Sequence, residues 1–167
     1  MAQRLVCIER SLKHAEDLPG FVVAVGDRWA VIQNVIDGGY FDGYSAFRVK
    51  DVVRVKRRKS FERAFAQQLP TWPPRAPADL VLDTARSVVS SMASNSSLVA
   101  IEQERRRSAQ WIGVLVASEA KFTWLHEISP KALWHEEPLG YRNKEITLVS
   151  IETHYQRALA AMASERP

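Results

Sequence analysis

Lys50-Asp51-Val52-Val53-Arg54-Val55 and Lys144-Glu145-Ile146-Thr147-Leu148-Val149 are one pattern written twice. The correspondence runs without a gap into Phe61-Glu62-Arg63-Ala64-Phe65-Ala66 against Tyr155-Gln156-Arg157-Ala158-Leu159-Ala160, at an offset of 94 residues. Further back, Leu5-Val6-Cys7-Ile8-Glu9 matches Leu98-Val99-Ala100-Ile101-Glu102 at an offset of 93, with four of five positions identical. Between these blocks, Phe21 to Val25 pairs with Ile112 to Val116, and Trp29 to Val35 with Phe122 to Ile128. Matches in one order at nearly one offset predict an internal duplication, and self-similarity of this kind governs the fold before any single element does.

Each repeat carries the same signals. Leu5 to Ile8 and Phe21 to Val25 are short β-branched runs, and Gly26-Asp27 supplies turn residues after the second. Trp29, Val31, Gln33 and Val35 alternate with Ala30, Ile32 and Asn34, the two-residue period of a strand. After the turn Asp37 to Gly43, Ser45 to Val49 and Val52 to Lys56 read as two strands parted only by Lys50-Asp51. Their counterparts are Gly140 to Asn143 and Ile146 to Ile151. A helix closes each repeat. Phe61, Phe65 and Leu69 recur at four-residue spacing with Ser60 placed to cap, and Tyr155, Leu159 and Met162 follow Thr153. These stripes are expected to dock the helices on the strands.

Pro70-Thr71-Trp72-Pro73-Pro74-Arg75-Ala76-Pro77 separates the repeats, and four prolines in eight residues favour a stiff, extended linker. The expected division is a first small β-barrel plus helix over 1–69, a proline-rich linker over 70–82, and a leading helix, second barrel and closing helix over 83–167. Asp83 is the expected cap of the leading helix, Thr84 to Ala93.

Five short strands whose last two flank a tight corner resemble the small barrels of the Src-homology-3-like and Sm-like folds. The endings Lys144 to Val149 with Tyr155, Ala158 and Leu159, and Asp42-Gly43-Tyr44 with Arg48, Asp51 and Val52, look like those of uncharacterised bacterial proteins with tandem small barrels. The resemblance implies a mainly β chain with a few helices, built as two duplicated five-stranded barrels, each followed by a C-terminal helix. An Sm-like relationship would imply an RNA role and ring assembly, although the short Sm signature segments are not recognisable. None of these motifs carries a catalytic residue.

Composition bounds the function. A hydrophobic fraction of 46% suits a globular chain. No apolar run approaches the ~18 residues that would span a bilayer, and charges at Arg4, Glu9 and Arg10 leave no signal-peptide core, so a cytoplasmic location is expected. Cys7 has no partner for a disulfide and reads as a small core hydrophobe. His14, His126, His135 and His154 lack metal-ligand spacing. Asp37 and Asp42 flank Gly38-Gly39 as turn residues, not as a calcium loop. No phosphate loop, nucleophile elbow or paired-histidine motif is present. His126, Glu127 and the run His135-Glu136-Glu137 make an acid–base site only on paper. Neither catalysis, a cofactor nor a small-molecule substrate is expected.

The net charge of +4 lies wholly in residues 1–67, which hold 12 Lys and Arg against 8 Asp and Glu. Arg48, Lys50, Arg54, Lys56, Arg57, Arg58, Lys59 and Arg63 crowd into sixteen residues. On a strand, Arg54 and Lys56 share one face and Val53 and Val55 the other. Such a stretch either protects an edge strand or neutralises phosphates. Tyr40, Phe41 and Tyr44 adjoin it and would stack on bases or seal the barrel end. The favoured function is a non-catalytic binding or adaptor protein whose partner is a protein chain or a second copy. The alternative is an RNA- or DNA-binding module using this basic face.

Overall fold

A computed structural model describes residues 3–58 and 61–165, so the expected cap Ser60 and the basic residue Lys59 lie outside the described residues. The described residues form ten strands: β1 (Leu5–Arg10), β2 (Leu18–Val25), β3 (Trp29–Val35), β4 (Phe41–Arg48), β5 (Val52–Arg57), β6 (Val99–Glu102), β7 (Gln110–Ser118), β8 (Phe122–Glu127), β9 (Leu139–Arg142) and β10 (Leu148–Ile151). Three helices accompany them: α1 (Phe61–Ala66), α2 (Ala85–Ala93) and α3 (His154–Met162). Short 3-10 corners at Val49–Asp51 and Asn143–Glu145 separate the last two strands of each repeat.

All ten strands belong to one antiparallel sheet in the order β5-β1-β2-β3-β4-β10-β6-β7-β8-β9. The expectation of two closed barrels is therefore wrong. Each half does repeat one order, fifth strand, first, second, third, fourth. But β4 gives its outer edge to β10 instead of curling back to β5. Four residue pairs register across that seam, Phe47 with Leu148, Ala46 with Val149, Ser45 with Ser150 and Tyr44 with Ile151. Alternating apolar patterns specify strands equally well for a barrel or an open sheet; closure is decided by which edges meet.

The seam is packed on both sides. Val31 and Ala46 from the first repeat join Val99, Ile101, Val149 and Ile151 from the second in one buried cluster, covered by Val88, Val89 and Met92 of α2. Thr84 caps α2 and exchanges hydrogen bonds with Ser87, one residue beyond the expected cap Asp83. On the opposite face Leu148 joins Ile8, Ile32 and Phe47. Gly43 has φ +67° and sits where a Cβ would lie 2.2 Å from the Ile151 carbonyl oxygen, so only glycine lets β4 approach β10 this closely. Buried Arg10 and Glu104 add an ion pair of 2.5 Å between the halves, with Thr147 donating 2.8 Å to the same carboxylate.

The helix stripes do not dock as expected. Phe61 is 74% exposed and Tyr155 44%. On α3 the inward residues are Gln156 and Leu159, and Gln156 Nε2 donates 2.9 Å to the Ser150 carbonyl. On α1 Ala66 is the buried residue, against Leu5, Phe21 and Val35. Segment 70–82 forms no helix or strand, yet it is tied down. Trp72 packs edge-on to Phe21 at 5.5 Å, Leu80 and Leu82 border the seam cluster, and Asn95 bonds both polar groups of the Ala78 backbone.

Candidate functional site

The two ends of the sheet are its chemically unfinished parts. Among the described residues, β5 pairs with β1 on one side and with no strand on the other, and β9 pairs likewise with β8 alone. On β5, Val53 is 63% and Val55 57% exposed. An edge with open backbone groups and bare valines is a template for an added strand.

Seven of the eight basic residues of the expected site are described, Lys59 lying outside, and they are spread over the end of β4, the 3-10 corner, β5 with the residue after it, and α1. Arg48 is buried, its Nε donating 2.5 Å to Asp51. Lys50 is exposed on the neighbouring 3-10 corner. Arg54 and Lys56 stand on the β5 edge, and both turn to Glu9 on β1, Arg54 at 3.7 Å and Lys56 in direct hydrogen-bonded contact. The Lys56 hydrogen bond holds the Glu9 carboxyl below its ordinary range. Arg57 and Arg58 are exposed and pair with no carboxylate among the described residues. Arg63 is half-buried on α1, with its Nε lacking a hydrogen-bond partner.

The aromatic trio is also divided. Tyr40 is exposed and meets Phe65 edge-on at 4.9 Å, beside Phe61. Phe41 turns inward to Phe21 at 6.0 Å. Tyr44 borders the seam cluster, where burial raises its hydroxyl pKa. No common platform gathers the three.

The paper acid–base group does not assemble either. His126 Nε2 lies 2.7 Å from the His135 carbonyl oxygen, with its ring against Trp134. Glu127 receives the Tyr141 hydroxyl, whose proton is held well above its ordinary pKa by burial and then by that carboxylate. His154 instead joins Asp42, whose Oδ1 accepts from the His154 backbone at 2.6 Å at the start of α3. Cys7 is half-buried near Asp17, and burial pushes its thiol up, away from the reactive thiolate. No three His, Cys, Asp or Glu side chains converge on a metal-sized site among the described residues. No helix among them is long and apolar enough to cross a membrane.

One assembled feature was missed. A cleft of about 660 Å³ opens where the two halves meet α2, lined by Asp27, Arg28, Lys50, Asp83, Arg86 and Lys144 among others. A second hollow of about 540 Å³ adjoins it, lined by Lys121, Phe122, Arg142 and Lys144. The repeat could have disclosed it. Arg28 corresponds to Lys121, Arg48 to Arg142 and Lys50 to Lys144, so three positions are basic in both repeats. Arg48 and Lys50 belong to the basic run before α1, but Arg28, Lys121, Arg142 and Lys144 stand outside it, so local charge density does not disclose that these positions converge. Compared with family models, curated proteins and solved structures, the chain matches none.

Proposed function

We propose that the protein is a non-catalytic binding protein that associates by adding strands to the ends of its sheet, with a second copy of the chain as the strand donor. The β4–β10 seam is the observation that carries this reading. It joins the fourth strand of one repeat to the fifth strand of the other. The two free edges are the remaining fifth strand, β5, and the remaining fourth strand, β9. What β4 and β10 do within the chain, β9 and β5 are placed to do between chains.

The seam register supplies the geometry. Moving each seam partner by the repeat offset of 94 turns Leu148–Phe47 into Arg54–Tyr141 and Ser150–Ser45 into Lys56–Leu139. Ile151–Tyr44 becomes Arg57–Pro138, and one step further Arg58 faces Glu137. The basic end of β5 thereby meets the exposed pair Glu136-Glu137 that precedes β9. Opposite charges at a rim fix register and exclude wrong partners. A head-to-tail contact of this kind closes into a ring if its rotation permits and otherwise propagates as a filament.

Sedimentation velocity over a concentration series tests the reading. Association is expected for the native chain, its loss in Arg57→Glu/Arg58→Glu and in Glu136→Arg/Glu137→Arg, and its return when the two variants are mixed. A monomer at every concentration, or association indifferent to both charge reversals, overturns it.

A further inference from the structure

We propose that the basic cleft between the two repeats and α2 binds phosphate groups. It is separate from the β5 edge and does not depend on strand addition.

The charge is concentrated and unspent. Arg28, Lys50, Arg86, Lys121, Arg142 and Lys144 line the two adjoining hollows, and all six are exposed. None forms an ion pair among the described residues, whereas Arg54 and Lys56 of β5 lean on Glu9. Asp27 and Asp83 are the carboxylates on the lining. Two carboxylates against six cations leave the cleft positive, and low-dielectric walls strengthen the field of such a cleft.

The site is built twice by the same device. In the first repeat the Val49 amide donates 2.9 Å to the Arg28 carbonyl, locking the β2–β3 turn to the 3-10 corner that carries Lys50. In the second the Asn143 amide donates 2.9 Å to the Lys121 carbonyl, locking the β7–β8 turn to the corner that carries Lys144. Buried Asn143 also donates its side chain to the Glu119 carbonyl at 2.8 Å and accepts from Thr123 at 2.7 Å. The cations thus project from preorganised corners, which lowers the ordering cost of binding. α2 begins at the cleft, with Asp83, Thr84, Ala85 and Arg86 on its lining, so the positive end of the helix dipole faces the same space.

A second feature points the same way. Arg48 lines the cleft and is nine-tenths buried, held to Asp51 through Nε, while its Nη2 has no hydrogen-bond partner. A guanidinium on the lining with one donor unused adds a fixed positive charge and an unspent hydrogen-bonding group beside the basic cleft, and charge-assisted bonds to phosphate oxygens are among the strong ones. Buried Trp29 lies on the lining of the larger hollow, and half-buried Phe122, against Trp124, on that of the smaller. Two repeated basic corners beside two adjoining hollows fit a ligand with more than one phosphate, either a free polyphosphate such as a nucleotide or consecutive phosphates of a single strand.

The test is fluorescence anisotropy of the full chain with a labelled single-stranded RNA oligonucleotide, together with calorimetric titrations of pyrophosphate and ADP, at low and moderate salt. Binding is expected in at least one arm. It should weaken by about tenfold for each contacting cation removed, in Lys50→Gln/Lys144→Gln and in Arg28→Gln/Lys121→Gln. It should persist in Arg57→Ala/Arg58→Ala. Binding of pyrophosphate or ADP identifies the free polyphosphate as the source. Oligonucleotide binding alone, falling steeply with salt, identifies the strand. No binding in any arm at low salt overturns the proposal. So does binding that ignores both cleft variants or is abolished at Arg57 and Arg58 instead.

Discussion

β5 and β10 hold the same place in the two repeats and meet opposite fates. β10, Leu148 to Ile151, is buried along its whole length between β4 and β6. β5, Val52 to Arg57, has β1 on one side and is exposed along most of its length. The side chains follow the position. β10 offers Leu, Val, Ser and Ile to two neighbours, while β5 alternates valine with arginine and lysine, the composition of a guarded edge. Their neighbours differ in step. Glu9 beside β5 is held ionised by Lys56, whereas its repeat counterpart Glu102, paired with Leu148, is pushed up to about 7, chiefly by burial and then by nearby Glu104. One strand order, repeated in the two halves, thus supplies both a seam and an edge, and what distinguishes them is what each fifth strand pairs with.

The comparison breaks most severely at the ion pair that joins the halves. Glu104→Ala leaves the Arg10 guanidinium buried without its partner and is expected to cost about 3–5 kcal/mol in urea denaturation. Arg10→Met/Glu104→Leu should recover most of that loss, because both charges are then gone. A double variant as unstable as the single would show that the pair contributes packing and not charge compensation.

Truncations on the two strands sharpen the contrast between them. Ile151→Ala should cost about 2–5 kcal/mol, because Ile151 is fully buried against the seam. Val55→Ala should change stability by less than about 0.5 kcal/mol in a monomeric sample. Equal effects at the two positions would remove the distinction between seam and edge.

Glu9 and Glu102 make the same contrast visible in pH. Glu102 has a folded pKa above its unfolded one, so the folded state binds the extra proton. Its stabilisation is complete below about 4.5 and lost as pH rises through about 7. That amounts to up to about 3 kcal/mol, and Glu102→Gln should flatten the loss in thermal melts between pH 5 and 8 (roughly the range in which the shift acts). Glu9 has the opposite sign. Its contribution is present above its unfolded pKa and fades as pH falls through the depressed folded value. A melt series in which Glu102→Gln keeps the native slope above pH ~5 would contradict the assignment.

The smallest expected effect lies at the exposed arginines. Arg57→Ala/Arg58→Ala should leave monomer stability within about 0.5 kcal/mol of native. A larger loss would mean that these side chains support the β1–β5 pairing itself.

How much of this was legible follows from the range of each signal. The strands were readable because a two-residue period is local, and Trp29 to Val35 is such a run. The leading helix was readable from the apolar Val88, Val89 and Met92, all three buried, although its cap is Thr84 and not the expected Asp83. The stripes of the closing helices misled, because Phe61 and Tyr155 keep helical spacing but stay exposed while Gln156, a polar residue, goes inside to reach the Ser150 carbonyl. The basic run around β5 was legible as charge, but its separation by Asp51 and Glu9 was not. The cleft escaped because Arg28, Arg86 and Lys144 converge from segments far apart in the chain.

The sequence by itself determined the repeat, the strands within it and the charged character of β5, since all three rest on spacing and residue type over a few positions. Only the tertiary structure decided that the repeats share one sheet, because β4 can satisfy its backbone groups on β10 as well as on its own repeat. That one choice of hydrogen-bonding partner buries β10, leaves β5 and β9 free, and brings the corners bearing Lys50 and Lys144 to the same cleft.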